Sequence, residues 1–229
     1  MSSPYVPDDI MACGSADYDE ERCTFGDAAA PHTAVIVGNS IAMTFVNPIR
    51  EALGEDWRVV SYGRFGCPFA DYALTEAPEM ENCSERPDTA IAAINSMSPE
   101  LVFVAGARPV DAAVSELRKI TAPSQLVFLP VPPNSINPQE CYTPQSSPSD
   151  CVSEQGTDWD VIEQRVIQQA GGIELSVDDW FCFEGLCPAF SGTIPTRIED
   201  GHMTQQYGQR LVPVIREALI DAQVISSPE

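Results

Sequence analysis

Four short apolar runs, each followed by a stretch with helix-forming spacing, constrain this chain more than any other feature. The runs lie in TAVIVG (Thr33 to Gly38), WRVVSYG (Trp57 to Gly63), ELVFVAG (Glu100 to Gly106) and QLVFLPV (Gln125 to Val131). Runs with so few polar interruptions suit strands covered on both faces. Between and after them come IAMTFVNPIREAL, DTAIAAINSM, PVDAAVSELRKI and TDWDVIEQRVIQQAG, which have helical spacing and carry caps or stops such as Asp88, Pro109 and Gly171. Alternating strands and helices predict a mostly parallel sheet with helices on both faces. GIELSVDDWFC (Gly172 to Cys182) supplies a short fifth strand. The last helix, TQQYGQRLVPVIREALIDAQ, is expected to kink or break near Pro213. A length of 229 residues with 44% hydrophobic suits one such domain over residues 31–229. Residues 1–30, dominated by Gly, Pro and acidic residues, read as an irregular arm lying across it.

The first strand ends in Gly38, Asn39 and Ser40, and a helix begins at once. A serine at such a turn faces the crevice where open α/β sheets bind ligands. The amides of a helix start can hold a developing negative charge. Two readings stand at this point, a nucleophile and a simple helix cap. Gly63 and Gly66, in GRFGCPF after the second strand, permit close backbone approach to the same place.

His202, in IEDGHMT just before the last helix, is the second half of the pattern. If all strands are parallel, its loop opens at the same edge of the sheet as the Ser40 turn. Glu199 and Asp200 precede it by three and two positions. Hydroxyl, imidazole and carboxylate are the parts of a nucleophile, a general base and an orienting acid. An unperturbed imidazole, with a pKa of about 6.5, serves as base and acid near neutral pH. The other histidine, His32, precedes the first strand and falls at the opposite edge.

Composition narrows the function classes. Twelve basic against 34 acidic residues give a formal charge of −22, which repels nucleic acid and anionic membrane. Eight cysteines fall in neighbouring couples: Cys13 with Cys23, Cys67 with Cys83, Cys141 with Cys151, and Cys182 with Cys187. Eight cysteines allow 105 pairings, and the neighbour scheme is the economical one. None shows C-x-x-C spacing and the histidines are far apart, so neither zinc nor another metal is expected. Disulfides imply an oxidising compartment, yet MSSPYVPDDIMACG has neither the basic nor the apolar region of a signal peptide. An excised part of a longer exported or membrane protein reconciles the two. Pro132 to Gly156, rich in Pro, Ser, Asn and Gln, reads as a lid, a substrate wall or a decorated surface loop. Trp57, Trp159 and Trp180 are candidates for stacking on sugar rings, with core packing expected for at least two.

The order of these elements resembles the SGNH hydrolases, flavodoxin-like α/β/α esterases and acyltransferases. VIVGNSIAMTF, GRFGCPF, DWFCFEGLCP and DGHMTQQYGQRL resemble one branch in particular, the SGNH domains fused to acyltransferase-3 membrane proteins, cysteines included. The resemblance covers Cys23 to Leu219. It implies an extracytoplasmic domain, at the cell surface or in the periplasm. There the membrane domain of the same full-length protein brings an acyl group, usually acetyl, across the membrane. The SGNH domain passes it to a cell-surface glycan or glycolipid. Ser40 is then the nucleophile, His202 the base, and the backbone N–H groups of Ser40 and of Gly66 or Gly63 the oxyanion hole. No cofactor is implied, and the isolated domain is expected to be a monomer.

Three positions depart from the family pattern. Asn39 stands where the first block usually has an aspartate. Arg108, in Gly106-Ala107-Arg108, stands where an asparagine oxyanion donor is common; a guanidinium still donates, with different reach and charge. The orienting acid is Glu199 by spacing and Asp200 by side-chain type. Water as acceptor would make the domain an esterase, and a non-catalytic glycan- or partner-binding domain is the alternative that Asn39 and Arg108 raise.

Overall fold

The computed structural model describes residues 5–15, 18–70, 83, 86–133, 136–155, 158–198 and 201–227. In chain order they form α1 (Asp8–Cys13), β1 (Thr24–Phe25), β2 (His32–Gly38), α2 (Ser40–Leu53), β3 (Trp57–Gly63), α3 (Arg86–Met97), β4 (Leu101–Ala105), α4 (Val110–Leu117) and β5 (Gln125–Leu129). There follow α5 (Pro138–Cys141), β6 (Val152–Glu154), α6 (Asp158–Ala170), β7 (Ile173–Glu174), α7 (Asp178–Phe181) and β8 (Leu186–Pro188). Last come β9 (Phe190–Ser191), β10 (Ile194–Pro195), β11 (Arg197–Ile198), β12 (His202–Met203) and α8 (Gln205–Asp221).

The central sheet has the order β1-β3-β2-β4-β5-β7. The five strands from β3 to β7 pair in parallel, as the β-α alternation requires. Taken alone they have the 2-1-3-4-5 order of flavodoxin-like sheets, with the reversal of direction between β2 and β4. Alternate residues of β2 face two separate cores. Ala34 and Ile36 pack with α1, α2 and α8, whereas Val35 and Val37 pack with α3, α4 and α6. That division is the three-layer sandwich.

Three sequence expectations change in detail. The arm read as irregular carries a helix and an edge strand. Thr24 and Phe25 pair antiparallel with Val60 and Val59, covering the open edge of β3. The fifth parallel strand shrinks to two residues, because the chain turns into α7 soon after it. Helix α8 runs unbroken through Pro213. That proline and Gln209, four residues before it, are exposed, so water can satisfy the carbonyl that loses its partner.

Disulfides join the four neighbouring cysteine couples. Two of them organise the segment after β5. Within Pro132 to Gly156 the Cys141–Cys151 bond joins α5 to the residue before β6, and β6 pairs with β8 so that Ser153 faces Cys187. From there a relay of backbone hydrogen bonds runs toward α8. The Ala189 N–H donates to the Cys151 carbonyl at 2.8 Å, that of Thr196 to Ala189 at 2.9 Å, and that of Thr204 to Thr196 at 3.2 Å. The described part of the loop is thus a footing for the chain that carries His202. No helix among the described residues is long and apolar enough to cross a membrane.

Candidate active site

Ser40 owes its position to its neighbours on both sides. Gly38 closes β2 at φ 139°, and a Cβ there would lie 2.0 Å from the Ala105 carbonyl oxygen. Only glycine lets β2 and β4 end this close together, at the point where the sheet order reverses. Asn39 then caps α2: its Oδ1 accepts from the Ile41 N–H at 2.9 Å, and its side chain is buried. The cap role is therefore filled by Asn39, and Ser40 becomes the first helical residue with its hydroxyl directed elsewhere. Gly106, at φ 66°, holds the asparagine in place. A Cβ on Gly106 would fall 2.5 Å from Asn39 Oδ1.

His202 is positioned from the other end of the chain. It opens β12, which pairs antiparallel with β11 so that Ile198 faces His202 and Arg197 faces Met203. Gly201, at the turn, lies against the loop after β5, where a Cβ would meet the Pro132 carbonyl at 2.9 Å. That loop is held by buried Glu163, whose Oε2 accepts from the Val131 N–H at 2.8 Å. Fully buried Met203 fixes the strand in the core, and Thr204 caps α8 by accepting from the Tyr207 N–H at 3.2 Å. Helices α2 and α8 pack together, with Pro48 close against Gly208. Ser40 is eight residues before that contact and His202 six, so both reach the same rim. The result is a hydrogen bond of 2.8 Å between Ser40 Oγ and His202 Nε2, both half-buried.

Three further groups come from the loops after β3 and β4 and from the N-terminal arm. Gly66 lies in the turn after β3, which is tied to the end of β2 by the Arg64 N–H donating to the Gly38 carbonyl at 2.9 Å. At φ 73° it borders open space. Gly63 differs: its N–H points to Ser61 Oγ at 3.4 Å, and a Cβ would meet Met43 Sδ at 2.5 Å. Its lack of a side chain serves packing on α2, so of the two glycines Gly66 is the one with room beside it. Arg108 is half-buried in the loop after β4, two residues beyond Gly106. Glu199 and Asp200 lie outside the described residues. The third group is one the sequence reading missed. The Tyr5 ring sits 5.5 Å from the His202 imidazole, centroid to centroid, tilted by 50°.

The ground beneath the histidine hairpin is a buried polar cluster. Arg197 is almost wholly buried, with its guanidinium over the Phe181 ring at 5.1 Å, and burial brings its pKa down to about 10. It stays charged at neutral pH. Burial raises the Asp178 carboxyl, against a hydrogen bond of 2.6 Å from Gln155. The Tyr207 hydroxyl donates to the Trp180 carbonyl at 2.5 Å. Trp180 is buried and meets the Phe45 ring in a T-shaped contact, Trp57 stacks on His32 at the far end of the sheet, and the Trp159 side chain lies outside the described residues. Among the described residues no group of three or more His, Cys, Asp or Glu could hold a metal ion.

Comparison with known proteins gives this geometry a family. The family described as "SGNH domain (fused to AT3 domains)" matches residues 6–217. The chain belongs to that family. Among solved structures, the SGNH chain is similar to the periplasmic domain of a lipopolysaccharide acetyltransferase from Salmonella ser. Paratyphi A. That match has a TM-score of 0.64 and 21% identity, and covers 82% of this chain and 84% of the other. It is also similar to a protein from Slackia heliotrinireducens described as a candidate SGNH hydrolase, with a TM-score of 0.51 and 16% identity, covering 82% and 98%. At these identities the likeness establishes the fold. A search of curated protein sequences found no significant match.

Proposed function

We propose that this SGNH domain is a serine O-acyltransferase acting outside the cytoplasm. Ser40 is the nucleophile and His202 the general base. The observation that carries the reading is the 2.8 Å contact between Ser40 Oγ and His202 Nε2 at the reversal point of the sheet. With Nε2 unprotonated, the serine hydroxyl donates to it. As Oγ bonds to the acyl carbon, its proton passes to the imidazole and the carbonyl electrons collect on oxygen. The oxyanion then faces the N–H groups of Ser40 and Gly66. Collapse expels the donor's alkoxide or thiolate, which takes the proton from His202 and leaves an acyl-serine. An acceptor hydroxyl attacks next, gives its proton to Nε2, and Ser40 recovers a proton as the new ester departs.

The acceptor in this reading is a hydroxyl of a cell-surface glycan or glycolipid, and the donor is charged by the acyltransferase-3 membrane domain of the same protein. The periplasmic acetyltransferase neighbour and the four disulfides support that setting. Glu199, or else Asp200, orients the imidazole. The isolated domain is monomeric. Water as acceptor gives the esterase reaction by the same steps, which half-exposed Ser40 permits. A purely binding role fits less well, because Asn39 is a helix cap here and its replacement of an aspartate removes no group from the Ser40–His202 pair. The test is hydrolysis of small aryl acetates, with Ser40→Ala expected to lower kcat/KM by about 10⁴-fold. Full activity in that variant would end the assignment of Ser40.

A further inference from the structure

We propose that Tyr5 is the sugar-binding platform of the acceptor subsite. The inference rests on the acyl-transfer reading and adds a substrate-contacting residue to it. In the mechanism above, one place near the imidazole is occupied twice, first by the leaving group that receives the Nε2 proton and then by the acceptor hydroxyl that supplies one. A side chain beside the His202 ring is therefore a candidate to border the acceptor. Tyr5 is such a side chain, 5.5 Å away, half-buried and packed against the core at its other contacts. An aromatic face is what a pyranose ring stacks against, and it carries little conformational entropy to lose.

The arm that brings Tyr5 here is fastened at several points. Val6 and Ile10 are fully buried against the α2 and α8 side of the core. The Cys13–Cys23 bond ties α1 to the segment that enters β1, and Asp9 pairs with Arg50 of α2 at 3.7 Å. At its far end the arm touches the turn that holds Gly66. The Gly14 carbonyl accepts from the Phe65 N–H at 3.3 Å, and a Cβ on Gly14 would strike the Phe65 ring at 2.4 Å. The arm thus spans from the base to the proposed oxyanion turn, and Tyr5 is a preorganised wall of the site.

By microscopic reversibility the acceptor subsite of transfer is the leaving-group subsite of hydrolysis, so deacetylation reports on it. The 229-residue chain and its Tyr5→Ala, Tyr5→Leu and Tyr5→Phe variants are compared on a monoacetylated methyl hexopyranoside and on ethyl acetate. In Ala and Leu variants, kcat/KM for the sugar acetate is expected to fall about tenfold with ethyl acetate within about twofold, and Phe behaves as wild type. Parallel losses on both esters would make Tyr5 a support for the histidine, and no loss on either would make it a bystander; both overturn the proposal. A wild-type chain with no Ser40-dependent activity on either ester would instead sink the acyl-transfer reading, and the Tyr5 inference with it. Thermal unfolding of each variant separates loss of fold from loss of the subsite.

Discussion

The molecule's two histidines sit at opposite rims of the central sheet, His32 at the start of β2 and His202 beside Ser40 at its end, in surroundings that match more than they differ. His202 has an oxygen partner at 2.8 Å and an aromatic ring at 5.5 Å; His32 has Glu100 Oε1 at 3.3 Å and the Trp57 ring stacked at 4.9 Å. A cavity of about 870 Å³ adjoins His32, lined also by Trp57, Glu100, Gln125 and Arg216. What sets the ends apart is strand direction. His32 opens β2, where its partner is a carboxylate already engaged by the Thr33 N–H at 2.8 Å. Ser40 follows the end of β2, where a helix starts and backbone N–H groups point outward. A nucleophile needs that end, because only there is a fixed positive field available for an oxyanion.

Substitutions at the two histidines break this comparison most directly. His202→Gln is expected to lower esterase kcat/KM by about 10³-fold, whereas His32→Gln leaves it within about twofold. Equal losses would mean that position in the sheet is not what matters. Gly106→Ala is expected to cost about 2 kcal/mol in chemical denaturation, from positive φ and from the clash with Asn39. Activity falls with it as the α2 cap is displaced, and an unchanged midpoint would show that Asn39 is not held as described. The smallest effect lies at the His32 end. Burial tends to raise the Glu100 carboxyl, but hydrogen bonds from the Thr33 amide and from His32 outweigh it, and the net pKa is lowered. A depressed carboxylate stabilises the fold above its unfolded pKa and loses that contribution as pH falls through the folded value. Glu100→Gln should therefore lower stability at pH 7, by less than about 1 kcal/mol because the side chain is half exposed, and converge with wild type in acid. A deficit that persists or grows in acid would contradict the assigned sign.

Much of this was legible from residue order, for physical reasons. Ser40 and His202 could be brought together on paper because parallel strands force the loop after the first strand and the loop before the last helix to one rim. The cysteine couples lay close enough to pair locally. Other features needed coordinates. Asn39 read as a lost acid because its type was compared with a pattern, whereas its role depends on Gly106, which comes to it from a separate strand. Pro213 read as a kink or break, and the continuity of α8 through it was not legible because exposure of that face is a tertiary property. Tyr5 gave no signal at all: it lies in a stretch without periodicity, and only the burial of Val6 and Ile10 with the Cys13–Cys23 bond decides where its ring rests.

The central claim is that Ser40 becomes acylated. The direct measurement is mass spectrometry of the protein quenched in acid during turnover of an aryl acetate, followed by peptide mapping. The account predicts one acetyl group on the peptide that holds Ser40, formed in wild type and in His32→Gln and lost in Ser40→Ala. Turnover with no adduct on that peptide under any quench time, or an adduct mapped to another residue, would contradict it.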